Sequence, residues 1–280
     1  MNRIDTTLAN LKSQNKKALV PYLPVGFPSL EQTDDLLHTL CESGADLIEL
    51  GVPFSDPMAD GPVIQRATEQ AMANGASLRF ALSCAAKFRE RNQATPLVLM
   101  TYANPIEAMG FAQFVIQAKQ AGIDGVLLVD VPLEELGRSE QSNAGDSVEK
   151  SFHTLLGEQN LHSIHFIAPT TQDGRVQALA DKAKGFIYYV ALKGVTGAAT
   201  LDANAVAKQV QRIRQQLDLP VLVGFGIRDG ASAGAVGRVA DGVIVGTELV
   251  ARMQACQSEG PAKVLEQVRI LMTELRTALD

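Results

Sequence analysis

The sequence predicts an α/β protein, a (β/α)8 barrel with an extra N-terminal helix before the first strand. Eight short apolar runs alternate with helical stretches along the chain, which is the pattern of this fold. The 280 residues, 46% of them hydrophobic, suffice for one such domain spanning 1–280. A doubly wound sheet would give a similar alternation. The count of eight, and the lack of a glycine triplet after the first strand, favour the barrel.

The eight runs are apolar throughout rather than alternating, which is typical of parallel strands buried on both faces. The predicted strands lie near Ala18–Leu23, Leu47–Leu50, Leu97–Met100, Gly125–Val129, Ile164–Ile167, Phe186–Val190, Val221–Val223 and Gly242–Val245.

The intervening stretches carry helical spacing and helix boundary signals. Ile4, Leu8 and Leu11 share one face of a helix before the first strand, and we expect that helix to plug the bottom of the barrel. Ser29 with Gln32 predicts a capping box. Pro62 and Gly75 bound a helix after strand two, Phe111 to Gly122 form another, and Val264 to Leu275 form the last. Residues 137–151 are polar and predict a solvated insertion.

Composition excludes several classes of protein. Acidic residues exceed basic residues, 31 against 25, and the net charge of −6 argues against a nucleic-acid partner. Cys41, Cys84 and Cys256 are too far apart for a disulfide framework or a metal site, and the four histidines do not converge. No apolar run is long enough for a membrane span, and no signal peptide is visible. We therefore expect a cytoplasmic protein without a metal site.

Two carboxylates are candidates for catalysis. Glu49 falls near the end of an apolar strand, where burial raises the pKa of a carboxyl group towards that of a useful general acid or base. A structural glutamate bonded to a neighbouring amide or cation explains the position equally well. Asp60 follows in a stiff, proline-rich loop and could complete an acid/base pair. On spacing alone, however, a helix N-cap is the better interpretation of Asp60.

Glycines follow three late strands. Gly224 and Gly226 come after strand seven, and Gly246 with Thr247 after strand eight, where barrels of this class bind phosphate through backbone N–H groups. The loop after strand six has the small residues of a mobile lid. Its candidates are Gly194, Thr196 and Gly197. Each could be a plain turn residue, but three such loops at consecutive strand ends favour phosphate binding.

Several segments resemble the tryptophan synthase alpha subunit family, and the resemblance covers almost the whole chain. Residues 49–62 read ELGVPFSDPMADGP and are the most specific match. Residues 21–28 (PYLPVGFP), 100–105 (MTYANP), 193–197 (KGVTG) and 224–227 (GFGI) agree with it. The resemblance implies cleavage of indole-3-glycerol phosphate to indole and glyceraldehyde 3-phosphate without a cofactor. It also implies a beta subunit that carries pyridoxal phosphate and receives the indole, in an α2β2 heterotetramer.

The resemblance also assigns site residues. Glu49 and Asp60 become the catalytic pair, which replaces the N-cap interpretation of Asp60. Tyr188 matches an active-site tyrosine near Glu49. Gly226, Gly246 and Thr247 match phosphate-binding positions, and Gly194 and Thr196 fall on the lid. The expected indole pocket consists of Tyr22, Met100, Tyr102, Leu127 and Phe225.

The sequence departs from the family at a few of these points. Thr247 replaces a frequent serine and keeps the hydroxyl, Tyr22 replaces a frequent phenylalanine, and the insertion at 137–151 is longer than expected. The loops around Asp56 and Gly194 border the site and are expected to face the beta subunit. Two rival functions stay open at this stage: another phosphate-binding barrel enzyme, and a non-catalytic subunit that activates a partner.

Overall fold

Nine parallel strands form one sheet in the computed structural model, which describes residues 1–132, 150–180, 182–191, 203–224 and 226–280. The order across the sheet is β5-β4-β3-β2-β1-β9-β8-β7-β6. The strands are β1 (Ala18–Pro24), β2 (Ile48–Gly51), β3 (Leu97–Thr101), β4 (Gly125–Leu128), β5 (His162–Ser163), β6 (His165–Ile167), β7 (Ile187–Val190), β8 (Val221–Gly224) and β9 (Gly242–Val245).

The two outermost strands, β5 and β6, are consecutive pieces of one extended segment. Only Ile164 separates them, and its N–H donates to the carbonyl of Val126 at 2.9 Å, which continues the pairing to β4. β6 in turn pairs with β7. The chain itself therefore joins the two ends of the sheet, and the predicted (β/α)8 barrel is confirmed. The fifth predicted strand begins two residues earlier than expected and is split.

Helices surround the strands. The described helices are α1 (Arg3–Ser13), α2 (Gln32–Glu42), α3 (Pro62–Ala73), α4 (Leu78–Arg91), α5 (Ala103–Met109), α6 (Phe111–Gln120), α7 (Phe152–Glu158), α8 (Asp173–Gln177), α9 (Ala203–Arg214), α10 (Gly230–Gly237), α11 (Thr247–Cys256) and α12 (Pro261–Leu279).

The extra helix α1 closes the bottom of the barrel, as predicted. Ile4 is fully buried and Leu8 nearly so, and both pack into the cluster of side chains inside the barrel. Asn2 caps the helix by accepting from the N–H of Ile4 at 2.9 Å. Arg3 donates to Asp124 at the start of β4, at 2.9 Å, which fixes α1 to the rim.

Inward-pointing residues fill the barrel below its mouth. Because side chains alternate along a strand, every second residue faces the interior. Val20, Leu47, Val98 and Leu127 belong to this interior cluster, and each is fully buried. The next layer towards the strand C-termini is only partly buried and forms the floor of a cavity. Its members are Met100, Val129, Phe166 and Tyr188.

Three local expectations need correction or fall outside the description. Helix α2 begins after Glu31 without a side-chain cap; the Ser29 hydroxyl accepts from the Gln32 side chain at 3.3 Å, so the capping box is wrong. His38 in a helical stretch and His153 after the polar insertion are expected to be solvated, but both are half-buried. Most of the predicted insertion, residues 137–149, lies outside the described residues.

No helix in the described ranges is long and apolar enough to span a bilayer.

Candidate active site

A cavity of about 320 Å³ opens at the C-terminal ends of the strands. This is the end at which barrels of this fold carry their active sites. Eight of the residues singled out from the sequence line it: Tyr22, Asp60, Met100, Tyr188, Gly224, Gly226, Gly246 and Thr247. Residues from β1, β3, β7 and β8 and from the segments after β2, β8 and β9 thus converge on one space, because the strands are parallel and end at the same rim.

Glu49 lies in the wall of the barrel beside this cavity. It is on β2, directly across from Tyr22 on β1. Its side chain is fully buried, and neither carboxylate oxygen has a hydrogen-bond partner among the described residues. Desolvation therefore raises the pKa of Glu49 to about 8. Near neutral pH the group is mainly a protonated acid, and the alternative of a structural glutamate with a bonded partner finds no support.

Asp60 lines the cavity from the loop between β2 and α3. The N-cap of α3 is Gly61, with Pro62 in the first turn, so the N-cap interpretation of Asp60 is wrong. The Asp60 carboxylate instead accepts a hydrogen bond from the Tyr102 hydroxyl at 3.0 Å. Burial raises the pKa of Asp60, and the Tyr102 hydrogen bond opposes that rise because it favours the charged form.

Tyr102 anchors the loop that carries Asp60. Besides donating to Asp60, its hydroxyl accepts from the N–H of Ala59 at 3.1 Å, and its ring stacks on Phe54 with centroids 5.0 Å apart. Burial raises the pKa of Tyr102, so the hydroxyl keeps its proton. Asp130 holds the next residue, since both its oxygens accept from the N–H of Ala103, at 2.9 and 3.2 Å. The loop that carries Asp60 is thereby tied to β3 and to the end of β4.

Tyr22 and Tyr188 both lie at the mouth of the cavity, and each packs over a glycine at the end of the neighbouring strand. An ideal Cβ built on Gly51 would lie 2.2 Å from the Tyr22 hydroxyl, and one on Gly224 would lie 2.3 Å from the Tyr188 hydroxyl. Each ring leans over the end of the next strand, and glycine is required there because any side chain would collide. Burial, then the carboxylates of Asp60 and Glu49, raise the pKa of both phenols, so both hydroxyls remain protonated.

The end of the cavity at β8 and β9 is built from glycines and a helix start. Gly226 has φ +81°, a conformation that favours glycine. Gly246 is the N-cap of the ten-residue helix α11, and Thr247 is its first residue. Free N–H groups and the helix dipole make such a terminus favourable for an anion. This end of the cavity is therefore suited to a phosphate group.

Two residues expected in the pocket lie elsewhere. Leu127 points into the barrel but sits one layer below the floor, fully buried in the interior cluster. Tyr102 is not among the lining residues, because its ring lies under the loop that it anchors. Four further candidates lie outside the described residues: Gly194, Thr196, Gly197 and Phe225.

Apolar residues that the sequence reasoning missed complete the lining. Val129 and Phe166 lie two positions beyond inward-facing Leu127 and Ile164, so the alternation along each strand could have identified them. Phe166 meets Tyr188 edge to face, with centroids 4.8 Å apart. The other additions are Ile64, Val190, Ile227 and Ile244. Within the described ranges, no cluster of three or more side chains could hold a metal ion.

The fold and this cavity define an enzyme of the (β/α)8 class with its site at the strand C-termini. A family model described as tryptophan synthase alpha chain matches residues 8–280. The tryptophan synthase alpha chain of Laribacter hongkongensis is 48% identical over 280 residues, covering all of both chains, and that of Cupriavidus pinatubonensis is also 48% identical over the full length. The chain belongs to the tryptophan synthase alpha chain family, whose members are lyases that cleave indole-3-glycerol phosphate in tryptophan biosynthesis.

Solved structures of the family share the fold. A tryptophan synthase subunit alpha from Legionella pneumophila superposes with a TM-score of 0.89 at 39% identity, over 100% of this chain and 99% of that one. A structure of tryptophan synthase from Mycobacterium tuberculosis in an aminoacrylate-bound form gives 0.84 at 30% identity, covering 100% of both chains.

Proposed function

We propose that Glu49 and Asp60 perform the cleavage of indole-3-glycerol phosphate to indole and glyceraldehyde 3-phosphate in this chain. The observation that carries the proposal is that the side chains of Glu49 and Asp60 lie in different environments. Glu49 is buried, unpartnered and held protonated, whereas Asp60 lines the cavity and has a hydrogen bond that favours its anion. Two carboxyl groups with different protonation states supply an acid and an electrostatic stabiliser within one site.

The reaction runs as a retro-aldol cleavage. Glu49 donates its proton to C3 of the indole ring, which leaves a cationic ring and a Glu49 carboxylate. That carboxylate then takes the proton from the C3′ hydroxyl while the C3–C3′ bond breaks. The electron pair of that bond returns to the ring and restores indole, and C3′ becomes the aldehyde carbon. Asp60 accepts a hydrogen bond from the ring N–H and stabilises the cation.

The remaining lining residues bind the two ends of the substrate. Tyr22, Met100 and Phe225 contact the indole ring, together with Val129 and Phe166 on the floor. Gly226, Gly246 and Thr247 bind the phosphate through backbone N–H groups and the hydroxyl. Gly194, Thr196 and Gly197 are assigned to the lid, and Gly224 and Tyr188 to the substrate-binding lining. This assignment agrees with the apolar floor of the cavity and with the helix start among its lining residues.

The chain functions as the single-domain alpha subunit, residues 1–280, of an α2β2 complex, and needs no cofactor of its own. Its side chains supply both the proton and the charge stabilisation, and pyridoxal phosphate belongs to the beta subunit. The loop bearing Asp56 faces that subunit, and the indole passes to it. Met58 supports this surface, because it stands at the tip of the loop with 83% of its area exposed.

An indole-release assay with purified chain, alone and with beta subunit, tests the proposal. Glu49→Gln should abolish most of the activity, and Asp60→Asn should lower kcat/KM by at least about a hundredfold, as expected for groups of this kind. Tyr189→Phe, which changes a buried phenol outside the cavity, is the control. Undiminished indole release by Glu49→Gln would refute the acid/base role, and a wild-type chain that only stimulates the beta subunit would refute the lyase assignment.

A further inference from the structure

The proposed reaction leaves a negative charge on Glu49 in a place that offers it little compensation. Among the described residues, the phenols of Tyr22 on β1 and Tyr188 on β7 lie close enough to Glu49 to interact with it electrostatically, and both also interact with Asp60 in the loop after β2. The described lining residues include no lysine, arginine or histidine. A buried carboxylate needs a hydrogen-bond donor, and of the described groups that interact with Glu49 the two phenols can supply one.

Of the two tyrosines, Tyr22 is the one on a strand adjacent to that of Glu49. The two residues are direct partners across the β1–β2 ladder. Gly51 lies two positions beyond Glu49 on the same strand, so it faces the same way. The Tyr22 hydroxyl occupies the place that a side chain at Gly51 would take, with its oxygen 2.2 Å from the ideal Cβ position. The hydroxyl therefore lies directly on the mouth side of Glu49.

The ring of Tyr22 is buried among its neighbours. On the other side, an ideal Cβ on Gly246 would lie 3.4 Å from the Tyr22 Cβ, an ordinary van der Waals distance, so the backbone of Gly246 runs beside this side chain. Tyr22 is 8% exposed, and its hydroxyl makes no hydrogen bond to another described residue. The donor is therefore available. Tyr188 differs, because its hydroxyl lies at Gly224 on β8, a strand that is not adjacent to β2.

We propose that the Tyr22 hydroxyl donates a hydrogen bond to the Glu49 carboxylate when Glu49 is ionised, and so acts as a positioning residue for the acid/base cycle. This inference rests on the proposed function of Glu49. The phenol is suited to the role, since burial and the two carboxylates raise its pKa and keep its proton in place. The same bond turns the carboxylate towards the cavity, where it must meet the C3′ hydroxyl.

Carboxyl-carbon NMR of protein labelled at glutamate tests the inference directly. The Glu49 signal is identified by its loss in Glu49→Gln, and its titration is then compared in the wild type and in Tyr22→Phe. Removing a donor to the charged form should raise the pKa of Glu49 by about one unit. The limb of the kcat/KM profile that reports this ionisation should move to higher pH by the same amount. A purely apolar role for Tyr22 would change KM without moving either titration.

Two further variants complete the test. Tyr188→Phe should shift the Glu49 titration by less than Tyr22→Phe, and Tyr189→Phe, on the outer face of β7, should leave it unchanged. An unmoved titration in Tyr22→Phe, or a larger shift in Tyr188→Phe, would overturn the inference. Its failure is distinguishable from failure of the proposed function, because retained activity in Glu49→Gln would refute the latter whatever the tyrosines do.

Discussion

At the scale of single residues, the proposed chemistry depends on two carboxyl groups in unlike environments. Glu49 is enclosed without a partner, and Asp60 is bonded by Tyr102 at 3.0 Å. The identity of Glu49 as a buried acid could be anticipated from its place in an apolar strand. The role of Tyr102 could not, because it depends on how the loop after β2 folds back over β3, and strand alternation does not specify the direction of side chains beyond a strand end.

Burial of Glu49 should make stability depend on pH in a definite direction. The folded-state pKa is about 8, against an ordinary value of 4.5, so between these values the folded chain holds a proton that the unfolded chain has lost. Raising the pH through this window therefore destabilises the fold, by at most about 1.4 kcal/mol per unit for one group.

Glu49→Gln removes this titration and keeps the side-chain size. Relative to wild type, we expect the free energy of unfolding of the variant to improve progressively from pH 5 to pH 8. Urea unfolding of both proteins at several pH values measures the difference. Parallel stability curves would show that Glu49 has an ordinary pKa in the folded chain.

At the scale of elements, the loop from Pro53 to Asp60 is positioned by contacts with neighbouring elements. Tyr102→Phe keeps the stacking on Phe54 but removes the hydrogen bonds to Asp60 and Ala59. We expect kcat/KM to fall by about 10- to 150-fold, since a hydrogen bond to a charged group contributes about 1.5–3 kcal/mol. Steady-state kinetics check this, with Tyr189→Phe as the control. Equal kcat/KM in the Tyr102 variant and the control would contradict the anchoring role.

The glycines at strand ends serve packing as well as turns. Gly51→Ala would place a methyl group 2.2–2.6 Å from three atoms of the Tyr22 ring and hydroxyl, which cannot move away easily. We expect a loss of about 1–3 kcal/mol in the free energy of unfolding, as for other overpacked positions.

Gly157→Ala is the matched control, because no atom lies within 4 Å of its ideal Cβ and the residue is in helix α7. That variant should be neutral or slightly stabilising. Denaturant unfolding compares the two, and equal midpoints would show that the ring of Tyr22 has room to move.

Several elements were predictable to within a residue or two, since their signals are local. β9 has the predicted bounds, and α3 begins at Pro62 as expected. The split at Ile164 and the missing cap at Ser29 were not predictable, because both depend on partners far away in the sequence or on loop geometry. Leu127 illustrates another limit: alternation gives the face of a strand, whereas depth within the barrel depends on the stagger between strands.

At the scale of the whole molecule, stability and chemistry occupy opposite ends of the barrel. At the bottom, Asp124 accepts from Arg89 at 2.8 Å, from Arg3 at 2.9 Å and from the N–H of Leu97 at 2.9 Å, and it is 4% exposed. This carboxylate connects α1, α4, β3 and β4 far from the cavity.

Asp124→Asn should therefore lower the free energy of unfolding without lowering kcat. Loss of the charge leaves the largely buried Arg89 uncompensated, and we expect a loss of about 3 kcal/mol in the free energy of unfolding. Below its unfolding transition the variant should keep kcat within about twofold. Glu158→Gln, in the exposed pair with Lys150, should cost under about 1 kcal/mol and serves as the control. Loss of kcat in folded Asp124→Asn would show that the two ends are coupled.

The side chains packed beneath Met100, Val129 and Phe166 close the cavity at its base. A molecule in the cavity cannot pass down the barrel axis, because the described side chains fill it, and must therefore leave on the side of the strand C-termini. A bicyclic product resting on the floor thus obstructs the next arrival until it departs. Any group that covers the mouth of the cavity consequently controls both substrate entry and product release.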